Sequence, residues 1–144
     1  MDEGFREHIR EKLQQARFIR HLGIVLADLG PGWCESTLEV ADMHLQQDGF
    51  VHAGVVATMA DHTAGVAAGS LAVPEVVVLT VEFKINLLRP AVGDRLRCRA
   101  RVLRPGRQLT VAESEVFAGG DDGEKLVAKA MVTLAHVKAN NDSA

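Results

Sequence analysis

The stretch that decides the fold is His52–Leu71, HAGVVATMADHTAGVAAGSL. Val55, Val56, Met59, Ala60, Ala64, Val66, Ala67 and Ala68 leave hardly any face of a helix polar, and a helix apolar nearly all round is a buried central helix. The polar exceptions are Thr58, Asp61, His62, Thr63 and Ser70. What surrounds this helix reads as sheet. Upstream, Ile24–Leu29 and Trp33–Val40 flank the turn Gly30-Pro31-Gly32, and the second segment alternates Cys34, Ser36, Leu38 and Val40 against Trp33, Glu35, Thr37 and Glu39, so the two predict a hairpin. Asp42–Val51 is a polar loop into the helix. Downstream, four β-patterned segments follow: Val76–Leu88, Leu96–Leu103, Leu109–Ala118 and Lys125–Val137. In the first of them Val77, Leu79, Val81, Phe83, Ile85 and Leu87 fall on one face, with Thr80, Glu82, Lys84 and Asn86 on the other. The expectation is an α+β domain whose antiparallel sheet wraps the one long apolar helix. Such a sheet has free edges, which in a small domain are often paired across a dimer.

Before the hairpin, Phe5, Ile9, Leu13 and Ala16 recur at helical spacing between charged residues. They predict an amphipathic helix from about Glu3 to about Ile19 within an N-terminal segment 1–22. The main domain is read as 23–138 and the last residues, 139–144, as a flexible tail.

Composition bounds the function. The chain has 144 residues, and 47% of them are hydrophobic, enough for one domain with a core of its own. The net charge of −3 argues against nucleic-acid binding. Charges fill Met1–Leu22 where a signal peptide needs an apolar run, and the longest apolar stretch, Ala64–Val73, is too short and too interrupted to span a bilayer. Cys34 and Cys98 have neither metal-ligand nor redox spacing. A soluble protein of the reducing cytoplasm is the expectation.

Chemistry concentrates between Gln46 and Asp61. Gly49, His52, Ala53 and Gly54 lead into the helix. Small residues there leave the first N–H groups open, and those groups carry partial positive charge suited to an oxyanion. Asp61 is a carboxylate in an apolar helix, a costly placement unless it is paired or functional. His44, His52 and His62 invite a metal reading, but Asp61 and His62 are adjacent on a helix and diverge, so no metal is expected. Arg95, Arg97, Arg99 and Arg101 form a stripe on one strand face that Glu113 and Glu115 of the next strand can pair.

Gln46, His52-Ala53-Gly54 and Asp61 together resemble the active-site segment of the PaaI-like thioesterases, a branch of the hotdog-fold acyl-CoA thioesterases. Leu79–Pro90 is similar to a second element of that family, a strand ending in Pro. The resemblance spans about Gly23 to Val137 and departs from the family at Ala53, where Gly is common. It implies a hotdog fold and hydrolysis of an acyl-CoA, with CoA as part of the substrate and no cofactor. By the same resemblance, the Ala53 N–H polarises the thioester carbonyl and Asp61 acts as general base or nucleophile. Gln46 orients the carbonyl or the water, and Thr80 sets a hydroxyl near that water. His52 and Gly54 line the substrate site. Arg89, Arg104 and Arg107, at strand ends and turns, are candidates for the CoA phosphates. The resemblance also implies a homodimer or homotetramer with sites built across a subunit interface, Asp61 coming from one chain and the Gln46/Ala53 pair from the other. Two other readings are a hotdog acyl-CoA hydratase or dehydratase and a non-catalytic acyl-CoA sensor. The acyl group, aromatic or medium-chain fatty, stays open.

Overall fold

The computed structural model describes residues 1–140. The elements in chain order are α1 (Glu3–Leu13), α2 (Arg17–Leu22), β1 (Val25–Gly30), β2 (Trp33–Glu39), a short 3-10 turn (Asp42–His44), α3 (Ala53–Gly69), β3 (Val76–Leu87), β4 (Arg95–Arg104), β5 (Leu109–Gly120) and β6 (Gly123–Lys138). The strands form one antiparallel sheet in the order β1-β2-β4-β5-β6-β3. Helix α3 lies in its concavity and packs on β2 to β6. This is the hotdog arrangement expected above. Met59, Ala60, Ala64 and Ala67 of α3 are wholly buried against Leu38, Leu96, Val116, Val132 and Leu134 of the sheet. Two internal bonds fix the helix further: Ser36 and Thr63 share a hydroxyl contact of 2.7 Å, and the Ser114 hydroxyl donates to the Ala60 carbonyl at 2.6 Å.

The N-terminal segment differs from the single helix to Ile19. The chain breaks at Gln14–Ala16, where Ala16 has ψ 85, and α2 starts anew. In one straight helix, Leu22 would point away from the side that carries Leu13. The break lets Ile9, Leu13, Ile19 and Leu22 all pack against the core. Part of the expected tail, beyond Asn140, lies outside the described residues.

Strand β3 carries a second difference. The register shifts between Thr80 and Glu82: Thr80 pairs with Leu134, but Glu82 pairs with Thr133. Val81 is thus the extra residue of a β-bulge, and the alternation changes phase there. Paired residues share a face, so Thr80 lies on the helix side with Leu134, and Phe83 and Ile85 lie there with Val132 and Ala130. The unbroken apolar face Val77–Leu87 read from the pattern is therefore split, and Thr80 does not share a face with Glu82 and Lys84.

The arginine stripe lies on the outer face of the sheet. Arg101 pairs with Glu113 at 2.6 Å as expected, but Arg97 bonds to Glu124 and to Glu35, and Glu115 pairs with Lys129 at 3.8 Å instead. Arg97 also covers the Phe117 ring at 4.5 Å, and Arg99 covers Trp33 at 4.9 Å. These guanidinium groups serve cross-strand packing on the surface.

Candidate active site

The loop into α3 is built by its own polar groups. The Gln46 N–H donates to the Phe50 carbonyl at 2.8 Å, and Gly49 supplies the positive φ of 87° that the tight turn between them needs. The Gln46 Oε1 accepts from the backbone N–H of Asp48 and, at 3.3 Å, of Phe50. Its carbonyl end is committed to the loop, which leaves the NH2 end to donate outward.

Histidines hold the same region. His44 is buried; its Nδ1 accepts from the Ala41 N–H at 2.9 Å, so its Nε2 carries the proton and donates to the Leu22 carbonyl at 2.6 Å. His52 is the N-cap of α3, and its Nδ1 accepts from the Gly54 N–H at 2.8 Å. The Val55 N–H donates to the His52 carbonyl at 3.0 Å. In this first turn the Ala53 N–H is the donor without a partner among the described residues. Gln46, His52, Ala53 and Arg89 all line one exposed pocket of about 610 Å³, closed on its other side by Leu87 and Val127. Gly54 is exposed beside it, and its N–H is spent on His52.

Asp61 stands eight positions along α3 from Ala53, about 12 Å along the axis at the usual helical rise. It is half-buried, and the Thr80 hydroxyl donates to its Oδ1 at 2.6 Å. The phase change at the β3 bulge is what turns Thr80 toward the helix and makes this bond possible. Asp61 Oδ2 has no partner among the described residues and borders a second groove, of about 730 Å³, between α1, α3 and β3. His62 lines that groove too. Burial holds the His62 imidazole below its ordinary pKa, against the opposing pull of Asp61, so it is neutral at pH 7.

One chain thus divides the candidate residues between two pockets. The oxyanion-type donor, Gln46 and Arg89 are in one pocket, and Asp61 and Thr80 are in another. Arg104 and Arg107 line neither pocket. They stand at the β4–β5 turn, by the sheet end where β3 begins, whereas Arg89 follows the end of β3. The two cysteines are buried in the core, and burial pushes both thiols up, Cys98 to about 12, so neither is a nucleophile at neutral pH. Sequence reasoning missed α1 as a wall of the Asp61 groove; the amphipathic pattern marked its buried side without saying what lay beyond.

Thr80 bonds to the candidate carboxylate, and the effect of losing that bond is measurable. Thr80→Val keeps the shape and removes one hydrogen bond to a carboxylate, so kcat should fall about tenfold or more. Thr80→Ser restores a hydroxyl and should recover most of the rate. Steady-state kinetics on the two variants check this; equal rates for both would mean the hydroxyl does not serve the reaction.

The family model of the thioesterase superfamily matches residues 48–133, and the chain belongs to that family. It is an enzyme of thioester hydrolysis. A thioesterase family protein from Silicibacter pomeroyi has a similar solved structure: TM-score 0.90 and 38% identity, covering 94% of this chain and 99% of that one. The 1,4-dihydroxy-2-naphthoyl-CoA hydrolase of Listeria monocytogenes is 26% identical over 114 residues, 79% of this chain and 90% of the relative. The E. coli PaaI protein from the phenylacetic acid degradation operon shares the fold, with TM-score 0.83 at 21% identity over 94% of each chain.

Proposed function

We propose that the protein hydrolyses acyl-CoA thioesters in a site completed by a second copy of the chain. The observation that carries this reading is the placement of the two groups of residues along one open strand, Asp61 and Thr80 by its first half and the Ala53 pocket at its end. Strand β3 is an edge of the sheet, long and bordered by exposed Leu79, Val81, Phe83 and Leu87. The other edge, β1, is short, irregular between Leu26 and Asp28, and tied to α1 by the Arg6–Asp28 ion pair. An exposed apolar edge like that of β3 invites a partner, and a two-fold axis pairs it with itself, antiparallel. In that pairing the end of the partner's strand, with its oxyanion-side pocket, lies beside the start of this one, with Asp61 and Thr80.

The chemistry then divides between two chains. The thioester carbonyl oxygen receives the Ala53 N–H, strengthened by the N-terminal end of α3, and the amide NH2 of Gln46. Asp61 of the other chain, steadied by Thr80, takes the proton of the attacking water or attacks the carbonyl itself. The C–S bond breaks, and CoA leaves as the thiol once protonated. Arg89, beside the oxyanion pocket, is suited to a CoA phosphate, and His52 shapes that pocket as a cap. Arg104 and Arg107 lie apart from both pockets and are the weaker phosphate candidates. The action of the Listeria relative on an acyl-CoA supports this choice of substrate. No helix among the described residues is long and apolar enough to cross a membrane, and we place the enzyme in the cytoplasm, where CoA esters are made and used.

A panel of acyl-CoAs assayed for free thiol tests the reading. Thiol release that depends on enzyme concentration is the expected result. Hydration of an enoyl-CoA without release would make the protein a hydratase, and tight binding with neither reaction would make it a sensor.

A further inference from the structure

The groove at Asp61 extends well past the carboxylate. Its floor is the α3 face carrying Asp61, Gly65 and Gly69, residues four apart and therefore stacked along one side of the helix. The walls are Ile9 and Leu13 of α1 on one side and Val78 of β3 with Leu134 of β6 on the other. The direction of α1 follows from its anchors. Arg6 is tied to Asp28, near the β1–β2 turn, where the Gly32 N–H bonds to Ser70 at the C-terminal end of α3. The Leu22 carbonyl is held by His44, whose own carbonyl accepts from the His52 N–H at the N-terminal end of α3. So the N-terminal segment runs from the C-terminal end of α3 toward its N-terminal end, which sets Phe5, next to Arg6, nearer the Gly69 end of the groove. Neither glycine is crowded: an added Cβ at Gly65 would meet Leu134 at 3.8 Å and one at Gly69 would meet Val78 at 3.7 Å, both groove residues at ordinary contact distance. A methyl group at either position would just touch the groove wall, so a larger side chain there would obstruct the groove.

We propose that this groove holds the acyl chain of the substrate, laid from Asp61 along Gly65 and Gly69, and that Phe5 of α1 ends it. The inference rests on hydrolysis at Asp61 and names the substrate class for that site: unbranched, medium-chain acyl thioesters. The length decides for a linear chain over a ring. From Asp61 to Gly69 is about 12 Å at the usual helical rise. A phenylacetyl group would fill only the Asp61 end and leave the apolar walls beyond it wet, forgoing the burial that a linear chain gains. His8 and Lys12 of α1 line the groove as well, and both are exposed, so they form its polar rim. Helix α1 has no fully buried residue of its own, so its apolar face is shared between the core and this groove.

The test compares kcat/KM for butanoyl-, octanoyl-, hexadecanoyl- and phenylacetyl-CoA in the wild type, Gly69→Leu and Phe5→Ala. A leucine at 69 leans back over the turn toward Gly65 and fills the groove. The octanoyl-to-butanoyl ratio should then fall about tenfold, the usual cost of shutting methylenes out of an apolar pocket. Phe5→Ala opens the far end, and the hexadecanoyl-to-octanoyl ratio should rise. Leucine is a better helix former than glycine, and Phe5 is on the surface layer, so both variants should fold, as far-UV circular dichroism can verify. Ratios that stay at wild-type values in the folded variants, or a wild type that prefers phenylacetyl-CoA to every linear chain, would overturn the groove assignment while hydrolysis stands. A wild type that releases thiol from no acyl-CoA would instead remove the hydrolysis reading, and this one with it.

Discussion

Asp61→Asn should fold as the wild type does and lose about 10²–10⁴-fold in kcat, the range expected when a general base or its equivalent is removed. The amide has the size of the carboxylate and can still accept the Thr80 hydrogen bond through its oxygen, now made to Asp61 Oδ1 at 2.6 Å. What it lacks is the charge and the basicity. Because Asp61 is half-buried at the mouth of a groove, its replacement leaves no buried charge unpaired, and stability should change little. The measurement is kcat on a well-cleaved acyl-CoA, with a thermal midpoint beside it. Turnover near the wild-type rate would remove Asp61 from the chemistry and leave the Ala53 side of the site to explain it.

Much of this architecture was legible in the chain. Helix α3 could be read because no other arrangement buries Val55, Val56, Met59, Ala60 and Ala64 together, and its start because His52-Ala53-Gly54 changes the pattern abruptly. The hairpin β1–β2 and the alternation of β4 were equally open. The break between α1 and α2 was not, since Gln14-Gln15-Ala16 carries no glycine or proline. That break comes from tertiary demand, the need to bring Ile19 and Leu22 onto the same core as Ile9 and Leu13. The β3 bulge was hidden for a similar reason. Val81 fits a regular strand, and only the pairing with β6 shows it to be the extra residue. Its consequence reaches the site, because the pattern set Thr80 on the face of Glu82 and Lys84, whereas the fold turns it to Asp61.

The candidate residues were found through their combination, and the resemblance already implied that Asp61 and the Gln46/Ala53 pair come from different chains; the fold adds the distance between them within one chain. In sequence, Gln46 and Asp61 read as one motif; in space, about 12 Å of helix separates the Ala53 end from the carboxylate, too far for both to serve one carbonyl of one substrate. The arginines show the opposite limit. Arg89, Arg104 and Arg107 looked alike as turn residues, and only the sheet order separates the first from the other two. Edge position likewise needs the sheet: nothing in Leu79–Leu87 itself says that the strand has one neighbour rather than two.

The account turns on a site shared between two chains, and mixing tests this most directly. Gln46→Ala and Asp61→Ala chains, each impaired alone, are dissociated together and allowed to reassemble. In a two-fold dimer, each mixed pair holds one site with both residues lost and one site intact. Random pairing makes half the dimers mixed, with one good site of two, so activity should recover to about a quarter of wild type. A mass tag on one chain verifies that exchange has occurred. Recovery to about that level is the predicted result. Confirmed exchange with no recovery would mean that Gln46 and Asp61 do not meet across an interface, and it would contradict the shared site.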